Sequence, residues 1–251
     1  MFNLNEWRKV RRLEERVWNA ATTVVATSSV DADVITGVTG RQTAVVPNGV
    51  DIEQFASANP TRRANNVVFT GAMRHFPNAD AAVWYATEIH PLVVDAIPDA
   101  TLSIVGADPP ATVLQLGSTS INVTGRVERV EPFLQDAAVA IVPLRSGSGT
   151  RLKILEAFAA RTPVVSTTLG AEGLDAIDGL HLLLRDSPRQ FADAVISLLR
   201  GDHPASQLVD AAHELANQQY DWQSAVIPRL VAVHNDTIER FRKSHQRQSN
   251  A

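Results

Sequence analysis

The sequence predicts an α/β protein built on an open, mostly parallel sheet with helices on both faces. Three observations carry that expectation. Short apolar runs recur through the middle of the chain, among them "VVFTG" (67–71), "ATLSIVG" (100–106), "VAIVPL" (139–144) and "PVVST" (163–167). They are continuous rather than alternating, as in strands covered on both faces. Segments with helical apolar spacing separate them, and glycine-bearing loops stand where strand would turn into helix.

The elements follow in order. Leu4, Trp7, Val10, Leu13, Val17 and Trp18 recur at the spacing of an amphipathic helix. "TTVVATS" reads as a short buried strand, Asp31 to Val38 as a brief helix, and "TAVVPNG" as a second strand closed by a Pro-Asn-Gly turn. These first fifty residues supply two strands, too little sheet to stand alone. The polar stretch 56–66 is expected to be a linker or insertion. After the strand 67–71, a helix is expected from near Pro77, where proline suits the first turn, to about Val94. The strand 100–106, a short helix near 110–116, the strand "INVTG" (121–125) and a brief helix in "VEPFLQDA" come next. The strand 139–144 leads to a helix over 150–161, the strand 163–167, a last strand in "HLLLR" (181–185) and a helix over 188–200. From Pro204 onward the pattern is helical, with an apolar stripe of Trp222, Ile227, Leu230 and Val233. The closing "RKSHQRQSNA" is expected to fray.

Composition narrows the function. Hydrophobic residues at 45% and charged residues at 20% describe a soluble globular chain. A net charge of −4 gives no broad field for nucleic acid, and Arg8, Arg11, Arg12 and Arg16 alternate with Glu6, Glu14 and Glu15 as on a solvated helix face. The absence of cysteine excludes disulfides, thiolate catalysis and cysteine zinc sites. The seven histidines show no pair at metal-helix spacing, so no metal site is expected. No apolar run approaches the ~20 residues of a membrane span, and the first residues lack the apolar core of a secretory signal. A cytoplasmic location is the expectation.

In an open α/β sheet, ligands bind beyond the carboxyl ends of the strands. Four loops there stand out: "TGAMRHFPN" (70–78), "VGADPP" (105–110), "TGRVE" (124–128) and "PLRSGSGTRLK" (143–153). None carries the Gly-Lys-Ser/Thr of a P-loop or the Gly-x-Gly-x-x-Gly of a dinucleotide fold. The last loop is the richest. Gly147 and Gly149 permit a tight path, Ser148 and Thr150 offer hydroxyls and caps, and Arg151 and Lys153 place cations in the first helical turns. The helix dipole disfavours cations there, unless a bound anion reverses the balance. Lys153 and Glu156 stand three residues apart, able to share a helix face. Two readings are open at this point: a surface ion pair, or a cation for phosphate beside a carboxylate for the vicinal hydroxyls of ribose. Asp80, Asp136 and Asp175 have no spacing that singles out a general base.

Taken together, "VVPNGVDIEQF" (45–55), the stretch 67–93, "ATLSIVGADPP" (100–110), the stretch 121–174 and "GLHLLL" resemble the nucleotide-sugar-binding half of retaining glycosyltransferases of the GT-B type, in the family 4 group. The resemblance implies a Rossmann-like half of a GT-B fold over 51–203. It implies a remnant of the N-terminal acceptor domain with a crossover strand over 1–50, and C-terminal helices with a frayed tail over 204–251. Most of the acceptor domain would be absent. The donor site would comprise Gly71, Arg74, Gly147, Ser148, Gly149, Thr150, Arg151, Lys153 and Glu156. Glu156 stands as the second glutamate of the family's paired signature, and Ser148 stands where the first is expected. The substrate implied is a nucleotide-diphosphate sugar, with no cofactor, and the acceptor of a complete enzyme would be a glycan, lipid or small molecule. A partner chain or second copy would cover the C-terminal helix, and any peripheral membrane contact would belong to the absent domain. Two other readings share the fold: a non-catalytic nucleotide-binding or protein-interaction module, and a nucleotide-sugar epimerase-like protein.

Overall fold

The computed structural model describes residues 4–56, 63–147, 149, 151–202 and 204–249. In chain order the elements begin with α1 (Leu4–Ala20), β1 (Val25–Ala26), α2 (Ser29–Thr39), β2 (Ala44–Val45), α3 (Ile52–Phe55), β3 (Asn66–Thr70) and α4 (Phe76–Trp84). A π-helical turn (Tyr85–Ile89) leads to α5 (His90–Ala96), β4 (Thr101–Val105), α6 (Ala111–Leu114), β5 (Ile121–Gly125), α7 (Glu131–Asp136) and β6 (Val139–Val142). Then come α8 (Leu152–Ala159), β7 (Val164–Ser166), β8 (Leu183–Leu184), α9 (Pro188–Arg200), α10 (Ala205–Leu215) and α11 (Ile227–Ser249).

The chain forms two compact units, residues 1–48 with 223–251 and residues 49–222. The second unit holds a six-stranded parallel sheet in the order β5-β4-β3-β6-β7-β8. Every residue of β3 and of β6 is buried, which is why these strands read as unbroken apolar runs. Helices supply the cover: Phe158 from α8, Phe191 from α9 and Tyr85 from the π turn are fully buried in one core with Phe69 and Ile141. The strand order reverses between β3 and β6. That reversal opens a crevice beyond their carboxyl ends, because the loop from β3 and the loop from β6 depart in opposite directions.

The 204–251 segment is divided between the units. Residues 204–222 join the sheet unit, since Leu208, Ala212, Leu215 and Tyr220 bury into its core. The polar stretch expected as a linker falls partly on residues 57–62, which lie outside the described residues.

The first unit is small. Ala26, Ala32 and Ile35 form its core with Trp18 and Val24 packed against them. The N-cap of α2 is Ser28, whose Oγ accepts the Asp31 amide at 3.1 Å, and Thr237 of α11 donates to Thr23 at 2.8 Å. The strands expected in "TTVVATS" and "TAVVPNG" contract to two residues each, because Val25 and Val45 are exposed and no further strand among the described residues pairs with them. The amphipathic opening helix forms as α1, and its stripe of Leu4, Trp7, Val10, Leu13 and Val17 is exposed.

The helix expected from Pro77 toward Val94 forms as one continuous helical stretch, Phe76 to Ala96, with the π turn inside it. Pro91 lacks the amide that would continue the ladder, so the preceding turn widens. α11 runs to Ser249, with the ion pairs Arg240–Asp236 (2.7 Å) and Lys243–Glu239 (3.5 Å) at helical spacing, and the last two residues of the segment expected to fray lie outside the described residues.

The loops after β3 and β4 meet at two glycines. A Cβ at Gly106, whose φ is +156°, would fall 1.8 Å from the Gly71 carbonyl oxygen. Gly106→Ala is therefore expected to destabilise the protein by about 3 kcal/mol or more, measured by urea unfolding. A smaller loss, with the midpoint near that of the wild type, would show that the two loops separate easily.

Candidate functional site

The crevice at the sheet reversal has a volume of ≈ 800 Å³. Loop backbones fix its floor: the Gly71 amide donates to the Val105 carbonyl at 3.0 Å, Met73 to Ala107 at 2.8 Å and Gly106 to Gly125 at 3.2 Å. The ends of β3, β4 and β5 are thus tied side by side, which gives the crevice a stiff wall. The opposite wall is the start of α8. Its N-cap is Arg151, with no side-chain cap hydrogen bond. Ser148 and Thr150 themselves lie outside the described residues.

Five of the expected site residues line this one crevice: Gly71, Gly147, Arg151, Lys153 and Glu156. Lys153 reaches from α8 across to the β3 side. Its Nζ donates to Asn78 Oδ1 at 2.7 Å and lies 4.5 Å from the centroid of the Phe69 ring, a cation–π contact. A Cβ at Gly71, with φ +153°, would come within 2.9 Å of that ammonium. Glycine at 71 is what lets the lysine approach the strand end. Burial pushes the Lys153 ammonium down to about 7; the neighbouring Glu156 opposes the shift and Arg151 adds to it. Glu156 is shifted up, first by burial, against the pull of Lys153 and with a further push from Glu131. Among the described residues no side chain donates a hydrogen bond to the Glu156 carboxylate. It also borders a smaller cavity of ≈ 270 Å³ with Asp51, Gln54 and Trp222.

Arg151 is buried, and its guanidinium donates to the Gly147 carbonyl at 3.0 Å and the Leu169 carbonyl at 3.2 Å. It braces the loop that closes the crevice as well as lining it. Arg74 is placed elsewhere: its side chain is exposed and stands 3.9 Å from Asp108, outside the crevice lining. Gly149 is exposed and also outside the lining. Glu172 lies outside the lining, although its charge acts on Arg151.

Sequence reasoning missed Asn78 and Arg126, both in the lining. Each falls within a loop that the strand-end rule had marked. No spacing distinguishes Asn78 from its neighbours, because its partner Lys153 is 75 residues away along the chain.

Comparison with known proteins adds the following. Residues 64–201 match the family model described as "Glycosyl transferases group 1". A phosphatidyl-myo-inositol mannosyltransferase of Mycobacterium tuberculosis is 31% identical over 210 residues, covering 78% of this chain and 54% of that protein. An uncharacterized 44.6 kDa protein of the Klebsiella pneumoniae cps region is 24% identical over 165 residues, covering 62% of this chain and 42% of that protein. The chain thus spans about half the length of these relatives. Among solved structures, S. aureus TarM, a G117R mutant in complex with Fondaparinux, alpha-GlcNAc-glycerol and UDP, superposes with a TM-score of 0.74 at 17% identity, covering 91% of this chain and 46% of that one. Sucrose-phosphate synthase from Thermosynechococcus elongatus gives 0.73 at 19% identity, covering 91% of this chain and 61% of that one. This likeness shows the fold: Rossmann-like α/β, of the GT-B type. No helix among the described residues is long and apolar enough to cross a membrane.

The depressed Lys153 makes a stability prediction. Between about 7 and the unfolded value near ~10.4, the unfolded chain binds a proton that the folded chain does not, so this group makes stability rise with pH. Below that window both states are charged and the contribution is flat. Lys153→Met removes the cost of burying the ammonium. The variant is expected to exceed the wild type in stability near neutral pH, with the gap closing as pH is raised toward ~9. Urea titrations of both proteins across that range check it; a gap that stays constant with pH contradicts the assignment.

Proposed function

The chain belongs to the family of glycosyl transferases group 1, and from that premise we propose that its β3/β6 crevice binds a nucleotide-diphosphate sugar, for retaining transfer to an acceptor hydroxyl. In this reading the chain is the donor half of a family 4 enzyme. Turnover in this reading requires an acceptor-binding half as well. The single observation that carries the reading is Lys153 and Glu156 facing one crevice from a single turn of α8, opposite Gly71.

Each group has a task that follows from its chemistry. The ammonium of Lys153 meets the diphosphate against the backbone of Gly71, where absence of a side chain lets phosphate oxygens approach the strand end. Glu156, a carboxylate with no donor among the described residues, accepts from the ribose hydroxyls. Arg151 holds the Gly147 loop in place and contributes positive potential to the crevice. As the glycosidic bond to the donor sugar breaks, negative charge gathers on the departing diphosphate, and these fixed cations stabilise it electrostatically. The UDP held by S. aureus TarM is consistent with such a donor. A phosphatidyl-myo-inositol mannosyltransferase among the relatives is consistent with transfer to a hydroxyl of a lipid-linked acceptor.

The test is calorimetric titration of the chain with UDP and with GDP at about neutral pH. One of them is expected to bind, with Lys153→Ala weakening it about ten-fold or more, the scale of one lost hydrogen bond to a charged group. Glu156→Ala is expected to weaken binding of the diphosphate nucleoside while leaving inorganic pyrophosphate unaffected. No binding of either nucleotide at millimolar concentration ends the donor reading. Binding without sugar transfer, even when an acceptor-domain chain of a relative is supplied, favours the non-catalytic module.

A further inference from the structure

Asn78 stands in the first turns of α4, and both ends of its side-chain amide are engaged. Its Nδ2 donates to the Ala72 carbonyl at 3.0 Å, and its Oδ1 accepts from Lys153 Nζ at 2.7 Å. The first partner, a backbone carbonyl, can only accept, so the orientation of the amide is dictated by chemistry and presents Oδ1 to the lysine. The backbone holds the residue as well, through its amide on the His75 carbonyl at 2.9 Å. A Cβ at Gly71 would stand 2.9 Å from both the Asn78 Nδ2 and the Lys153 Nζ, so all three groups converge on one point at the end of β3.

We propose that Asn78 is the positioning residue for Lys153, fixing its ammonium at the carboxyl end of β3 while leaving its charge available for a diphosphate. The role rests on the donor reading given above. The ammonium has three donors; Asn78 takes one and the face of Phe69 lies against it, which leaves donors for ligand oxygens. A carboxylate at position 78 would hold the lysine more firmly but cancel its charge. An amide orients it without neutralising it. The charges acting on Lys153 are those of Glu156 and Arg151, from α8 and its start; Arg126 and His75 also line the crevice, and Phe69 from β3 and Asn78 from α4 do not titrate. A neutral acceptor favours the protonated lysine, so losing it moves the titration downward and replacing it by a carboxylate moves it upward.

The sequence holds three lysines, Lys9, Lys153 and Lys243, so labelled lysine side chains give a resolvable NMR titration of the unliganded protein. In Asn78→Ala the Lys153 midpoint is expected below the wild-type value of about 7, and in Asn78→Asp above it. Titration with UDP and GDP at about pH 8, above the second phosphate ionisation near ~6, is expected to show about ten-fold weaker binding in Asn78→Ala. In wild type, calorimetry in buffers of different ionisation enthalpy is expected to show proton uptake on binding, and Asn78→Asp is expected to reduce it. Asn78→Asp keeps the shape of the amide and serves where Asn78→Ala loses the fold. Lys153 midpoints that stay put in both variants, with wild-type binding intact, overturn the role of Asn78 alone. Failure of the wild type to bind either diphosphate overturns the donor reading on which it rests.

Discussion

A lysine ammonium placed against the end of a buried strand sets the terms for this site. Lys153 gives up bulk water and receives in exchange one amide oxygen, one aromatic face and the nearby charge of Glu156. These do not fully compensate its burial, and its affinity for a proton falls accordingly. A group in that condition is poised for an anion: a bound diphosphate would supply the negative charge that the surrounding protein withholds. The chemistry proposed for the chain follows from this uncompensated charge.

The placement depends in turn on backbone. The ammonium reaches the strand end because Gly71 has no side chain, and the loop carrying Gly71 stays there because Gly106 permits the neighbouring loop to pack against its carbonyl. The cations of α8 divide the work. Arg151 spends hydrogen bonds on the Gly147 and Leu169 carbonyls and so shapes the loop, whereas Lys153 faces the crevice with donors to spare. Arg74, the other candidate cation, stands beside Asp108 and takes no part in the lining.

The smaller unit follows a different logic. Two strands of two residues leave Val25 and Val45 exposed, and Leu4, Trp7, Val10, Leu13 and Val17 of α1 are exposed as well, while Trp18 of the same helix packs on the small core. Its own core of Ala26, Ala32 and Ile35 is slight beside the single large cluster of the sheet unit. The sheet unit therefore carries most of the buried apolar area, and with it most of the hydrophobic stabilisation.

By itself the sequence determined the α/β sheet, its strands to within a few residues and the glycine loops at the strand ends, because apolar runs, helical spacing and glycine punctuation are local signals. It also determined that Lys153 and Glu156 can share a face, since three residues are less than one helical turn. The tertiary structure decided which of the marked residues meet. It brought Gly71 and Lys153 to one point, drew Asn78 in from 75 residues away, and turned Arg74 toward Asp108. It also widened the helix before Pro91. The physical reason is the crossover of a parallel sheet: strands adjacent in space are distant in sequence, and the reversal between β3 and β6 that makes the crevice exists only once the sheet is assembled.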